Sequence, residues 1–352
     1  MRASALVALL AVMPAGAEQW PVRDTAAIEK RDPGRGPKSL RAYQQRKYGV
    51  IRSHSYGLEN YLCRGFDAIP AESTATSVDA VGLPMRAHLK GAYDHPIMTA
   101  RVALYSATAY SATANPAYLV WMKSGADKLL ASMSSSGALR YPVAFPLYYG
   151  PQLQPGWTSG MAQGVALSAL ARAYQLTCDE RYRDGGRRAL RHLLMPIEQG
   201  GTATNLRHLH PSLERYVWFE EYPNPQKPAY TLNGFMYTLL GLYDWSLVDP
   251  TSDAGRQFAA GLQTLTKVLP YYEYDGFTAY DLAPLVYGWK ANFNPHYHAV
   301  HITLLSALYA ATGEKILRDY ETRWYAAVGG PVVECGGPGR AKNAAVPGDP
   351  GP

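Results

Sequence analysis

Cysteine and phenylalanine are scarce in this sequence, and no stretch is long and apolar enough to cross a bilayer as a permanent helix. The three cysteines, Cys63, Cys178 and Cys335, are widely spaced and odd in number. They match no metal or redox spacing and outline no disulfide framework, so at most one bridge is expected, with structural roles for all three. There is no glycine-rich phosphate loop after a strand and no Gly-x-Ser-x-Gly elbow, which weighs against nucleotide binding and nucleophilic serine chemistry. Charged residues make up only 18% of the chain, and the balance of 34 basic to 28 acidic residues gives +6. That modest, unclustered excess suits an acidic substrate and gives no sign of nucleic-acid binding.

What is present is a sizeable core and a surplus of one aromatic residue. With 352 residues and 47% hydrophobic content, the chain can form one large domain or two ordinary ones. Tyrosine occurs 27 times against 7 phenylalanines, so the sequence repeatedly chooses an aromatic ring that carries a hydroxyl. Such rings stack on sugars, donate hydrogen bonds and exchange protons; others among them serve the core or its rim.

Residues 1–17 have the layout of a secretory signal. Met1-Arg2 precedes an apolar run from Ala3 to Met13, and Ala15-Gly16-Ala17 forms an Ala-x-Ala site. The run is too short to span a membrane, so cleavage near Ala17 and a secreted or periplasmic mature protein are expected. Residues 18–92 begin as a basic Gly- and Pro-rich lead-in and continue as a short irregular or β-containing region. From Asp94 the pattern becomes paired helices: His95 to Tyr110 with Asn115 to Met133, then Gly160 to Leu176 with Asp179 to Met195. Leu232–Leu247 pairs with Thr251–Leu269, and Tyr297–Thr312 with Glu314–Ala327. This rhythm predicts a mainly α fold, an α/α barrel or toroid of about four helical hairpins over residues 93–328, with a disordered tail at 329–352.

One stretch stands out chemically. Tyr216-Val217-Trp218-Phe219-Glu220-Glu221-Tyr222-Pro223 sets two carboxylates among aromatic residues and leads through a short turn to Leu232-Asn233-Gly234. A carboxylate in such a setting is either an acid or base with a tuned pKa or a solvated loop residue beside surface rings. Further clusters fall at the ends of the expected inner helices: Tyr93 to Pro96, Gly156 to Gly164, and Tyr280-Asp281-Leu282 with His296 to His301. The glycines at 160 and 164 permit close helix packing. His298 and His301 are three apart, whereas the familiar two-histidine zinc helix uses a spacing of four with an intervening Glu, so hydrogen-bonding roles are expected and no metal. A glutamate with several tyrosines and histidines around an aromatic hollow suits proton abstraction beside a carboxylate, or acid–base cleavage of sugars. Glu220 and Glu221 are adjacent in sequence, which is a poor start for the opposed carboxylates of a glycoside hydrolase. A non-catalytic sugar-binding protein would keep the same aromatic hollow.

Four ordered segments, Pro155 to Gly164, Trp218 to Pro223, Leu232 to Asp244 and Tyr280 to Leu282, resemble the D-glucuronyl C5-epimerase family, and the likeness runs from about Tyr93 to Ala327. The resemblance implies an α/α-barrel catalytic domain, often a homodimer, that inverts C5 of glucuronate in heparosan or heparan sulfate without a redox cofactor. Carried over by position, Glu221, Tyr280 and Tyr297 match the catalytic residues, and Asn233 matches a residue near the cleft. Tyr93, Trp157, Gln163, Glu220, Tyr222, His298 and His301 are further candidates for holding an acidic polysaccharide. The sequence departs from the family in three places. Residues 18–92 are short for the β-rich region of larger members. Ala283-Pro284 stands where a basic residue is expected, and Pro295-His296 replaces Trp-Asp. The competing expectation is a polysaccharide lyase, because a C5 carbanion can also expel the C4 substituent.

Overall fold

The computed structural model describes residues 48–65, 75–88, 91–328 and 330–336. The expected secretory signal and the basic lead-in lie outside the described residues, as does the chain beyond 336. Four helical hairpins make up most of the molecule. They are α1 (Pro96–Thr113) with α2 (Pro116–Ser132), and α3 (Gly160–Thr177) with α4 (Glu180–Leu194). After them come α5 (Leu232–Val248) with α6 (Ala254–Tyr272), and α8 (Pro295–Thr312) with α9 (Lys315–Val328), the short α7 (Ala283–Tyr287) lying between these pairs. The expected helices appear within a few residues of their predicted ends.

Sequence chemistry sets those ends. Proline occupies the first turn of α1, α2 and α8, where its missing N–H costs no hydrogen bond. Asn115, Ser159, Asp179 and Asn294 cap their helices by accepting from a backbone N–H. Gly313 ends α8 in the left-handed conformation.

The first member of each hairpin is buried on nearly all sides, and the second is amphipathic. In α4, Tyr182, Gly185, Gly186, Ala189, Leu190 and Leu193 form the buried stripe, while the arginines between them face water. Inner helices α1, α3, α5 and α8 pack in that order. The tightest approach is between α3 and α5: a Cβ on Gly164 would meet the Thr238 Cα at 2.5 Å, and one on Gly241 would meet the Gly164 carbonyl oxygen at 2.1 Å. Only glycine at both positions lets these backbones touch.

Small β elements decorate the helical body. β1 (Val50–Ser53) pairs in parallel with β9 (Val332–Cys335). An antiparallel three-stranded sheet holds β2 (Ala75–Val78), β3 (Pro84–His88) and β4 (Gly91–Tyr93). β5 (Ala203–Asn205) pairs with β6 (Val217–Phe219), and β7 (Glu273–Tyr274) with β8 (Phe277–Thr278).

The segment from β1 to Arg64 straps the first inner helix to the last. The Ile51 N–H donates to Thr303 Oγ1 on α8 (3.1 Å), and the Tyr61 N–H donates to Thr108 Oγ1 on α1 (3.0 Å). Beneath it lies a buried ion pair, Arg172 to Asp244 at 2.6 Å. The Arg172 guanidinium also donates to the Gly57 carbonyl and lies over the Tyr61 ring, and the Tyr56 hydroxyl donates to Asp244.

Expected disorder from residue 329 is corrected over Val332–Cys335. This stretch has a strand partner in β1, and Cys335 is bonded to Cys63. Cys178 is the free thiol, and it is exposed. The bridge closes a separation of 272 residues. Cys63→Ser/Cys335→Ser is therefore expected to lose about 2–5 kcal/mol, read as a lower urea midpoint. An unchanged midpoint would mean that the β1–β9 ladder holds this end without the bridge.

Candidate active site

All four inner helices start at one cavity of about 450 Å³, a size ordinary for a small-molecule site. Its walls include Ile97 and Met98 from the first turn of α1, Met161 from α3, Asn233 from α5 and Tyr297 from α8. Helix N-termini carry partial positive charge, so four of them together favour an anionic guest.

One wall is aromatic. Tyr141 stacks on Trp157 with ring centroids 4.0 Å apart, and Phe145 stacks on Tyr222 at 4.9 Å. The Trp157 indole is fixed by donating to the Val143 carbonyl at 3.0 Å. Arg64, Arg86 and Arg101 supply basic groups to the cavity.

Glu221 is placed by its predecessors. Trp218 stacks on Phe235 of α5 at 3.8 Å, and β6 aligns Phe219 with Ala203. The Glu220 backbone is held on both sides: its N–H donates to the Thr202 carbonyl (2.9 Å), and its carbonyl accepts from the Gly160 N–H at the start of α3 (2.8 Å). The next side chain then enters the cavity against Gly234. A Cβ there would come within 2.4 Å of Glu221 Oε2, so the glycine makes the room the carboxyl occupies. Asn233 Nδ2 donates to the same oxygen at 3.4 Å. Burial raises the Glu221 carboxyl to about 7, while Tyr222, Arg101 and Asn233 act against the rise.

Three phenols continue from this carboxyl. Tyr222 lies beside Glu221, the Tyr222 and Tyr280 hydroxyls are 3.2 Å apart, and the Tyr280 ring packs against Tyr297 with ring centroids at 4.5 Å. Burial and then the Glu221 charge push Tyr297 up to about 12; the same two causes raise Tyr222 and Tyr280 well above the usual phenol value. In the ligand-free protein each phenol is therefore a proton donor and Glu221 is the group able to accept.

Of the residues singled out from sequence, Glu221, Tyr222, Tyr297, Asn233, Trp157 and Tyr93 line the cavity. Tyr280 packs directly behind Tyr297. Four others sit elsewhere, and their expected contact with substrate is corrected. Gln163 is fully buried and spans three backbone groups, accepting from the Leu139 N–H and donating to the Gly137 and Ala189 carbonyls. His298 and His301 both place Nδ1 on the Thr278 hydroxyl, at 2.9 and 2.8 Å, and His298 Nε2 meets the Trp324 carbonyl. These histidines join α8 to β8 and α9 and do not face the cavity. Glu220 points inward, where Oε1 accepts from the Tyr230 N–H at 2.9 Å. Tyr230 takes a left-handed φ of 60° there, unusual for a bulky residue.

Other cavity residues went unnoticed in sequence. Tyr141, Val143 and Phe145 alternate along an extended stretch, and that period of two is the signal that they share a face. Arg64 and Arg86 come from a region without clear periodicity, and Arg101 sits within an Ala-rich helix.

The fold and the cavity thus define a mainly helical protein with an aromatic acid–base pocket at the starts of its inner helices. The model of the D-glucuronyl C5-epimerase C-terminus matches residues 132–326, more than half of the chain, and the chain belongs to that family. Over 213 residues it is 31% identical to the D-glucuronyl C5-epimerase of Caenorhabditis elegans, covering 56% of this chain and 33% of that protein. It is also 31% identical over 208 residues to an uncharacterized protein of Methanocaldococcus jannaschii, covering 58% and 63%. The chain thus spans less than two thirds of the length of either relative. Among solved structures it is similar to a cellobiose 2-epimerase from Spirochaeta thermophila, with a TM-score of 0.46, 14% identity and coverage of 74% and 65%. It is also similar to a polysaccharide lyase, with a TM-score of 0.42, 10% identity and coverage of 66% and 59%. Neither likeness transfers a residue or a substrate to this chain.

Burial, against the pull of the Tyr230 N–H, pushes Glu220 up to about 8, and its Oε2 has no hydrogen-bond partner among the described residues. A carboxyl whose folded pKa is raised favours folding below its unfolded value and loses that contribution as pH rises through the folded value. Glu220→Gln is therefore expected to melt like the unaltered protein near pH 5 and at a higher temperature near pH 8–9. Equal melting temperatures across that window would mean that Glu220 carries no buried charge at the upper end.

Proposed function

We propose that this protein is a uronate C5-epimerase that converts D-glucuronate to L-iduronate residues within a heparosan-like glycan. One observation carries the reading: the Glu221 carboxyl and the phenols of Tyr222, Tyr280 and Tyr297 are gathered at a cavity that is also lined by three arginines. Family membership supports it.

In this reading the uronate carboxylate lies toward the arginines and helix N-termini, and the sugar ring stacks on the aromatic wall. Glu221 takes the C5 proton from one face, and the electron pair spreads into the carboxylate, whose growing negative charge the arginines offset. Tyr297 then delivers a proton to the opposite face of C5. Glu221 is left protonated and Tyr297 ionised, and proton exchange with water restores both. Net chemistry is inversion at C5 with one hydrogen exchanged, and the chain length is unchanged. Export is part of the proposal, and the Cys63–Cys335 bridge supports it because disulfides persist in oxidising compartments.

Heparosan incubated with the protein in deuterated water should gain iduronate signals and lose C5–H intensity in proton NMR. Glu221→Gln should abolish exchange while keeping the melting temperature. Tyr297→Phe should cost about 10²–10⁴ in turnover, the usual contribution of a positioned proton-transfer group. Unsaturated, UV-absorbing fragments would instead identify a lyase, and an untouched C5–H would identify a binder.

The pH dependence follows from the same groups. Glu221 must be ionised to act as base, so kcat/KM should fall tenfold per unit as pH drops below about 7. With Tyr297 pushed up to about 12, the phenol imposes no alkaline limb between pH 8 and 10. A rate that is flat from pH 5 to 8 would remove Glu221 from the proton-transfer step.

A further inference from the structure

Tyr148 and Trp289 are large aromatic residues left exposed, at 42% and 45%, while most other rings among the described residues are covered. They face each other with ring centroids 6.4 Å apart and planes at 87°, one forming a floor and the other a wall. Tyr148 does not swing freely. Its hydroxyl donates to the carboxylate of Asp281, at 2.6 Å to Oδ1, and its ring edge meets Tyr149 at 5.0 Å. Asp281 is itself buried and also accepts from the Ala283 N–H, so the anchor is rigid. A ring that is exposed yet immobilised loses little entropy when something stacks on it.

Both rings belong to loops that also reach the cavity. Tyr148 is three residues beyond Phe145, which stacks on Tyr222 in the aromatic wall. Trp289 leads to Asn292, whose carbonyl accepts from the Tyr280 N–H, and then to His296 and Tyr297 at the start of α8. Basic groups stand close by. Lys290 is exposed beside Trp289 in sequence, and Lys227 lies over the ring of Tyr287 at 5.6 Å.

We infer that Tyr148 and Trp289 form an accessory sugar subsite outside the cavity, which takes a further unit of the same acidic glycan chain. The inference rests on the proposed uronate chemistry for its choice of ligand. An L-shaped aromatic corner fits the apolar face of a pyranose, and the lysines match the carboxylate that recurs along a glucuronate polymer. The subsite adds affinity for long chains and takes no part in the proton transfers.

The test compares unaltered protein with Trp289→Ala and Trp289→Phe, using heparosan polymer and a heparosan trisaccharide as probes. Binding is followed by titration calorimetry and turnover by C5 exchange. Trp289→Ala should weaken polymer binding and raise its KM about three- to tenfold, the range of one aromatic stacking contact, with kcat unchanged. Trisaccharide binding should stay the same, and Trp289→Phe should recover most of the loss. Equal polymer affinity in Trp289→Ala and unaltered protein would overturn the subsite, even where C5 exchange is intact. If the unaltered protein binds polymer without C5 exchange, the epimerase reading fails while the length-dependent binding loss still upholds the subsite. No polymer binding by the unaltered protein would remove both.

Discussion

The contact on which the site depends is the glycine-to-backbone approach of α3 and α5. Where Gly164 and Gly241 meet, no side chain intervenes, and two inner helices sit closer than ordinary side chains would permit. That spacing lets Trp218 and Phe219 wedge against Phe235 while the Glu220 carbonyl still reaches the Gly160 N–H. Glu221 is then pinned from both sides, by the start of α3 through its neighbour's carbonyl and by the start of α5 through Gly234 and Asn233. Anything larger at Gly164 would separate the helices and open this clamp. The cavity therefore inherits its geometry from a packing contact one to two turns below it.

Electrostatics at the same end of the hairpins are a balance of opposed costs. Burial disfavours every charge, and it is the leading cause of the upward shifts at Glu220, Glu221 and Asp281. Only Glu221 combines that burial with an opening to the cavity and a nearby arginine, which leaves its carboxyl poised near neutrality. Glu220 and Asp281 serve as inward-facing acceptors, for the Tyr230 N–H and for the Tyr148 hydroxyl with the Ala283 N–H. The outer end solves a similar problem differently. Asp244 on α5 keeps a full partner in Arg172 on α3 and a hydrogen bond from Tyr56, which ties the β1-to-Arg64 strap to these two helices as well. Arg64, the last residue of that strap, then reaches the cavity directly after Cys63.

Local chemistry made much of this legible. Prolines at helix starts, capping side chains and Gly313 mark the hairpins, and the aromatic setting of Glu221 sets it apart from ordinary surface carboxylates. What stayed hidden depends on contacts between distant segments. Nothing near Val332–Cys335 signals a parallel strand, because its partner is β1 and its cysteine bonds to Cys63. Arg101 reads as one polar residue in an Ala-rich helix, and it gains meaning only where α1 begins beside Glu221. His298 and His301 misled for the opposite reason. Their spacing puts both on one helix face, but that face is turned to Thr278 and α9. Helical spacing tells which residues share a face and leaves open what the face meets. The short α7, with Pro284 in its first turn, is too brief to leave a periodic trace.

The raised phenols constrain any mechanism in this cavity. A tyrosine acting as base needs a lowered pKa, yet burial lifts Tyr222, Tyr280 and Tyr297, and the Glu221 charge lifts them further. Each step that ionises one of them must therefore coincide with protonation of Glu221, which removes the nearby negative charge. In the proposed reaction these events are mutually dependent: when the carboxyl gains the C5 proton, the phenols lose the nearby negative charge that opposes their giving one up. Acid and base are thus coupled electrostatically, the Glu221 charge acting on all three phenols. In the proposed reaction a sugar with no carboxylate at C5 could not delocalise the carbanion. The proposed chemistry therefore selects uronates by the same step that inverts them.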